Sequence, residues 1–372
     1  MNHPDELLKM QITLSLLPGI GPVLARNLVS YCGSVPEIFR KKKSHLEKIP
    51  GIGSERADLI LKQQLFGEAE KEVMFIRKHS IQPLFYLDAE YPFRLKNCED
   101  APVILFYKGT HSLNTPHCVA IVGTRHITSY GKEMTEKIIE GLVKYEALIV
   151  SGMAYGVDIA AHKAALKNDL PTVAVTAHGL DRIYPSVHKS TAEKMVQKGG
   201  ILTEYLSGTV PDRENFPARN RIVAGMTDAT IVIESAIRGG ALITAELANS
   251  YNRDVFALPG RITDTYSQGC HLLIRQNKAI LVESVQDIAQ ALNWDLEEER
   301  KKQSPQKQLN MFVELNEEEK KVVNVLIKRG QFPIDHLSLE VQMPVSRVSA
   351  LLLNLEFAGV IRSLPGKVYE LV

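Results

Sequence analysis

The residues best suited to chemistry lie in the run Pro211-Asp212-Arg213-Glu214-Asn215-Phe216-Pro217-Ala218-Arg219-Asn220-Arg221-Ile222. It holds three arginines, two asparagines and one aromatic ring in twelve residues. Guanidinium groups grip phosphate oxygens through paired N–H donors, and an aromatic ring stacks on the face of a base. A hydrophobic core needs neither, so the run points to a ligand that carries phosphate and base. The blander reading is an arginine-rich surface loop anchored by Phe216. Arg213, Phe216 and Asn220 are the candidates to face a ligand, and Pro217 and Ile222 to hold the loop against the core. Arg219 and Arg221 would serve a phosphate or a buried ion pair equally well.

Three further clusters offer the same chemistry. Gly123-Thr124-Arg125 joins a close backbone approach to a hydroxyl and a guanidinium fork. Ser151-Gly152 opens a turn into Val157-Asp158, where Asp158 serves as a helix-start carboxylate or a ligand. Gly239-Gly240 opens a helical pattern through Thr244, and a glycine pair at a helix start leaves backbone N–H groups free to cradle an anion.

These clusters follow strand-like segments. The runs 117–122, 147–150, 172–176, 201–203, 229–234, 254–258 and 279–283 are apolar and rich in β-branched residues. They alternate with helical patterns such as 130–145, where Met134, Ile138, Leu142 and Tyr145 recur at helical spacing. That alternation predicts a Rossmann-like, doubly wound α/β domain with a mostly parallel sheet, whose ligands bind beyond the carboxyl ends of the strands. The expected domain covers 81–293, with 81–110 as a connecting segment of short strands and turns.

Two flanking domains are expected. Residues 1–80 carry Leu17-Pro18-Gly19-Ile20-Gly21-Pro22 and again Ile49-Pro50-Gly51-Ile52-Gly53-Ser54, each between helical patterns. This resembles paired helix-hairpin-helix motifs, which grip DNA backbone, although the same turn also packs helical domains with no ligand. The polar stretch 294–315 reads as a flexible linker. After it, 316–372 shows three helical patterns and a hairpin around Pro365-Gly366, a winged helix. Ser346, Arg347 and Ser349 begin its third helix, placed for base, phosphate or protein contacts.

Composition narrows the classes. With a net charge of +1, an anionic partner must be held by a local patch. Cys32, Cys98, Cys118 and Cys270 form no C-x-x-C pair, and no metal or cofactor is expected. The signatures G-x-G-x-x-G, G-x-x-x-x-G-K-[ST] and H-E-x-x-H are missing. Ser151, His162 and Asp158 form a triad only on paper, and His162 and His178 read as helix and loop residues. No apolar run has spanning length and no signal-like start is present, so a cytoplasmic location is expected.

Taken with Gly179-Leu180-Asp181-Arg182-Ile183-Tyr184-Pro185 and Val255-Phe256-Ala257-Leu258-Pro259-Gly260, the ordered clusters closely resemble the DNA-processing protein A (DprA/Smf) family. The resemblance implies a non-catalytic, single-stranded DNA-binding recombination mediator of natural transformation. It would protect incoming DNA and promote loading of the RecA recombinase. It implies a homodimer through the Rossmann-like domain, and single-strand-binding protein as a further partner. In the carry-over, Arg125 is the family's strand-end arginine, Phe216 the stacking aromatic, and Arg213 stands where Lys is frequent. Two departures are His271, where relatives often carry Asn, and Gln276-Asn277-Lys278-Ala279, which lacks an expected Gly-Ala. The competing reading is an enzyme resembling the lysine-decarboxylase-like nucleotide phosphoribohydrolases, with Glu246 as its glutamate.

Overall fold

The computed structural model describes residues 3–62, 64–295, 315–358, 360–364 and 367–371. The chain forms two compact units, 1–292 and 293–372. Most of the expected linker 294–315, and the Pro365-Gly366 turn, lie outside the described residues. No helix among the described residues is long and apolar enough to cross a membrane.

The first unit is built on a nine-stranded sheet. Its strands are β1 (Gln82–Phe85), β2 (Ile104–Gly109), β3 (Cys118–Val122), β4 (Leu148–Ser151), β5 (Thr172–Val175), β6 (Gly200–Thr203), β7 (Ala229–Val232), β8 (Asp254–Ala257) and β9 (Ile280–Leu281). They lie in the order β1-β2-β6-β5-β4-β3-β7-β8-β9. From β6 to β9 every pair is parallel, while β2 runs antiparallel to β6 and to β1. The segment 81–110 is therefore more than a connection, because its two strands extend the sheet. β3 to β7 are buried throughout, as strands covered by helices on both faces must be. Helices Ser129–Leu142 and Val157–Lys167 pack together, as do Asn215–Gly225 and Gly240–Ser250. From β3 the chain winds outward one way through β4, β5 and β6, then returns beside β3 as β7. That reversal makes β3 the switch point, where such sheets leave a crevice.

The N-terminal helices fold around Ile12, Leu28, Ile38, Leu46, Ile60 and Ile76, and this core is continuous with Phe85, Ile104 and Phe106 of the sheet. The two glycine turns face each other. A Cβ on Gly51 would lie 2.6 Å from Leu24, and one on Gly19 would lie 3.5 Å from Arg56. Leu24 and Arg56 are equivalent positions in the repeat, so the pair is pseudo-symmetric. Both glycines take left-handed φ, +70° and +83°. Two basic side chains beside the turns are already engaged: Arg26 donates to the carbonyls of Cys98 and Ala101, and Arg56 to that of Gly51.

The second unit has helices Glu317–Arg329, Ile334–Val341 and Val345–Phe357 and an antiparallel sheet of Phe332–Pro333, Val368–Leu371 and Ile361–Leu364. Leu326, Leu337, Leu352 and Leu355 fill its core. Asn316 and Glu319 form a capping box at the start of its first helix. This is the winged helix expected, with the short strand at Phe332 added to the hairpin.

Candidate nucleic-acid interface

The strand ends at the switch point enclose an open cleft of about 770 Å³. Gly123, Thr124 and Arg125 enter it after β3, Gly152 and Ala154 after β4, and Gly239, Gly240 and Thr244 after β7. Its far wall is the arginine-rich run, which contributes Arg213, Phe216, Pro217, Arg219 and Asn220.

That run is a helix from Asn215 to Gly225, where the sequence suggested a loop. Pro217 sits in the first turn, where a missing N–H costs nothing because it would have no intrahelical acceptor. Helical winding sets Phe216, Asn220 and Val223 toward the cleft and carries Arg221 away. Arg221 pairs with Glu204 and donates to the carbonyl of Asp100 at 2.7 Å. Burial raises the Glu204 carboxyl, and Arg221 opposes that rise. Arg221 is thus a structural ion pair and leaves the set of candidate contacts.

Arg219 lines the cleft floor but is 5% exposed, and its guanidinium donates to the carbonyl of Val175. Asp158 lies beside it. A Cβ on Gly152 would sit 2.4 Å from Asp158 Oδ2 and 2.7 Å from Arg219 Nη2, so Gly152 is small to admit this pair. Burial raises the Asp158 carboxyl, and the Arg219 charge opposes it. Ser151 is wholly buried and donates to the carbonyl of Ile121 at 2.6 Å, binding β4 to β3; it does not line the cleft.

The charged groups open to the cleft are few. Arg125 and Arg213 are exposed and, among the described residues, neither guanidinium has a carboxylate partner. The Arg125 guanidinium lies 5.5 Å from the centre of the half-buried Phe216 ring, a cation–π contact. Opposite, Gly239 caps the helix Gly240–Ser250. The first N–H groups of that helix have no intrahelical acceptor. A Cβ on Gly240 would meet nothing within 4 Å, so the backbone there faces open space. Thr244, one turn on, is 2% exposed. Thr124 is shaped by its own loop: its N–H donates to the Glu234 carbonyl at 2.7 Å, and its hydroxyl accepts from the His126 N–H at 3.1 Å. Gly156 is required twice over, by φ of +79° and because a Cβ would lie 2.1 Å from the Thr124 carbonyl.

Four cleft-side aromatics were not singled out from the sequence. The Tyr184 ring lies 6.2 Å from Phe216 at 50°. His126 and Tyr266 stack at 6.2 Å and both line the cleft. Tyr155 is 51% exposed beside a smaller recess shared with Phe216 and Arg219. For His126 and Tyr155 the signal in the sequence was an aromatic placed just after a strand end with no apolar period to bury it.

Ser151, His162 and Asp158 do not assemble into a triad. His162 is buried, with Nε2 2.6 Å from the Gly152 carbonyl and Nδ1 2.7 Å from Thr172 Oγ1, so it does not reach Ser151. Burial holds its pKa down, to about 4. Glu246, the candidate glutamate of a phosphoribohydrolase, lies outside the cleft and pairs with Lys278 at 2.9 Å. Among the described residues no group of His, Cys, Asp and Glu is placed to hold a metal.

The sequence model of the family described as DNA recombination-mediator protein A matches residues 82–293. The chain belongs to that family. Its flanks match the DprA winged helix domain over 313–367 and a SAM-like helix-hairpin-helix tandem over 12–63. The DNA processing protein DprA of Streptococcus pneumoniae is 47% identical over 202 residues, which cover 54% of this chain and 71% of the relative. Protein Smf of Escherichia coli is 33% identical over 342 residues, 87% of each chain. The X-ray structure of the pneumococcal DprA superposes with a TM-score of 0.66 at 36% identity, covering 75% of this chain and 96% of that one. A Helicobacter pylori DprA structure, described for its single-stranded DNA binding mode, gives a TM-score of 0.52 at 32% identity, covering 58% and 96%.

The two departures from the DprA pattern have local explanations. His271 Nε2 lies 3.0 Å from the Gly260 carbonyl, where it ties down the loop after β8. Asn277 takes φ of +55°, a conformation that glycine adopts freely and asparagine tolerates.

Proposed function

We propose that the protein binds single-stranded DNA in the switch-point cleft and acts there as a binder with no reaction of its own. The observation that carries this is the pair at the mouth, Phe216 with the Arg125 guanidinium 5.5 Å from its ring, beside Arg213, which has no carboxylate partner among the described residues. A base stacks on Phe216 whatever its identity, while Arg125, Arg213 and the N–H groups of Gly240 and Ala241 take successive phosphates. Thr124 and Asn220 supply neutral hydrogen bonds between them. Arg219 holds the floor in shape. Stacking and phosphate contacts carry no base identity, so little sequence preference is expected.

The cellular role that fits is a cytoplasmic recombination mediator that protects incoming DNA during natural transformation and promotes RecA loading, with single-strand-binding protein as a second partner. A homodimer through the Rossmann-like domain fits the free side of β9, whose Ile280 and Leu281 are 50% and 46% exposed.

The test is a mobility-shift titration with oligo-dT, duplex and a nucleoside monophosphate competitor side by side. Oligo-dT should bind best. Hydrolysis of the nucleotide to free base would instead favour the phosphoribohydrolase reading.

A further inference from the structure

A second groove, of about 330 Å³, lies between the helices Ser129–Leu142 and Val157–Lys167. Three exposed lysines line it, Lys132, Lys163 and Lys167, against one carboxylate, Glu136. None of the three lysines has an ion pair among the described residues, whereas Lys137 on the first helix is held by Glu133 at 2.7 Å. The groove abuts the cleft. Ile127 and Gly156 line the groove, His126 and Ala154 line the cleft, and a Cβ on Gly156 would lie 2.6 Å from the Arg125 backbone.

Aromatic rings lead from one to the other. Phe216 and Tyr184 share the small recess with Tyr155. The exposed Tyr155 ring lies 5.1 Å from His188, and the positive charge of Lys163 reaches that histidine. Rings followed by cations along a surface suit a single strand, since a base needs a face and a phosphate a counter-charge.

Resting on the single-strand reading of the cleft, we propose that the strand leaves the cleft over Tyr155 and runs along the helix Val157–Lys167, its phosphates held by Lys132, Lys163 and Lys167. The cleft then anchors a few nucleotides and the groove sets the direction in which the rest of the strand departs. Glu136 keeps that second contact weaker than the first.

The experiment compares oligo-dT of about 5 nucleotides, short enough to be held by the cleft, with one of about 20, across a salt series. The wild type is set beside the triple variant Lys132→Gln, Lys163→Gln, Lys167→Gln. Since those lysines are exposed, the fold should survive the change. A control triple, Lys71→Gln, Lys78→Gln, Lys96→Gln, removes the same charge from positions that line neither cleft nor groove. For the long oligonucleotide, the groove variant should bind about tenfold or more weakly at low salt, with a log–log slope shallower by about 2, which is 0.7 for each of three phosphates. For the short oligonucleotide, and for the control triple, the wild-type behaviour should persist. Equal loss in the control triple, equal loss on both lengths, or no loss on the long one overturns the groove. Failure of the wild type to bind either length overturns the cleft reading itself, so the two failures are told apart.

Discussion

Arg219 and Arg221 stand two positions apart and have different work, because on a helix residues two apart point to different sides. Arg221 is sequestered with Glu204, both side chains 16% exposed. Arg221→Ala leaves the Glu204 carboxylate without its cation, so the variant should lose about 3 kcal/mol of stability in chemical denaturation, while the folded fraction binds DNA as before. Phe216→Ala reverses the pattern. It should weaken single-strand binding by about 1–3 kcal/mol in an equilibrium titration and leave the midpoint of unfolding nearly unchanged. Arg125→Ala should weaken binding and flatten the salt slope by about 0.7. The residue types in the run announced the chemistry, but the division of labour was hidden. The run read as an arginine-rich loop, and a loop gives no period with which to sort its side chains. With the helix known, Phe216, Asn220 and Val223 fall on one face at spacings of four and three.

Among the elements, the parallel strands were legible, since continuous β-branched runs between helical patterns have few other meanings. The strands at 82–85 and 104–109 were harder to place, because prolines around them suggested a connector and edge position cannot be read from a single run. The helix Val157–Lys167 shows how local sequence conceals burial. His162 reads as an ordinary polar residue in an alanine-rich helix, yet it is wholly buried, with Thr172 and the Gly152 carbonyl as its partners. Burial first, then the nearby His188 and Arg219 charges, hold its pKa down from 6.5 to about 4. The folded state therefore keeps His162 neutral while the unfolded chain takes up a proton below pH 6.5, and stability falls as pH drops from 6.5 toward 4. At pH 5 this residue should cost about 2 kcal/mol relative to pH 7. In His162→Gln, which keeps a donor toward Gly152, the difference in unfolding free energy between pH 7 and pH 5 should shrink by about that amount. An unchanged difference would show that His162 does not titrate in this window.

For the whole molecule, a net charge of +1 argued from the outset that any anion must be held locally, and the cleft accords with that. Three glycine-bearing strand ends, scattered over more than a hundred residues, meet at one switch point. Their convergence followed from the order of the strands; what remained illegible was which strand-end groups face solvent. Ser151 and Arg219 turned inward, while Tyr184, Tyr155 and the His126–Tyr266 pair stand at or beside the opening. The central claim is that Arg125, Phe216 and Arg213 hold a single strand, and the most direct measurement is a salt-dependent oligo-dT titration of the wild type beside the double variant Arg125→Ala, Phe216→Ala. Wild-type binding that weakens linearly on a log–log salt plot, with the double variant weaker and shallower in slope, is the predicted result. Wild-type binding that is absent or indifferent to salt, or a folded double variant that binds as tightly as the wild type, would contradict it.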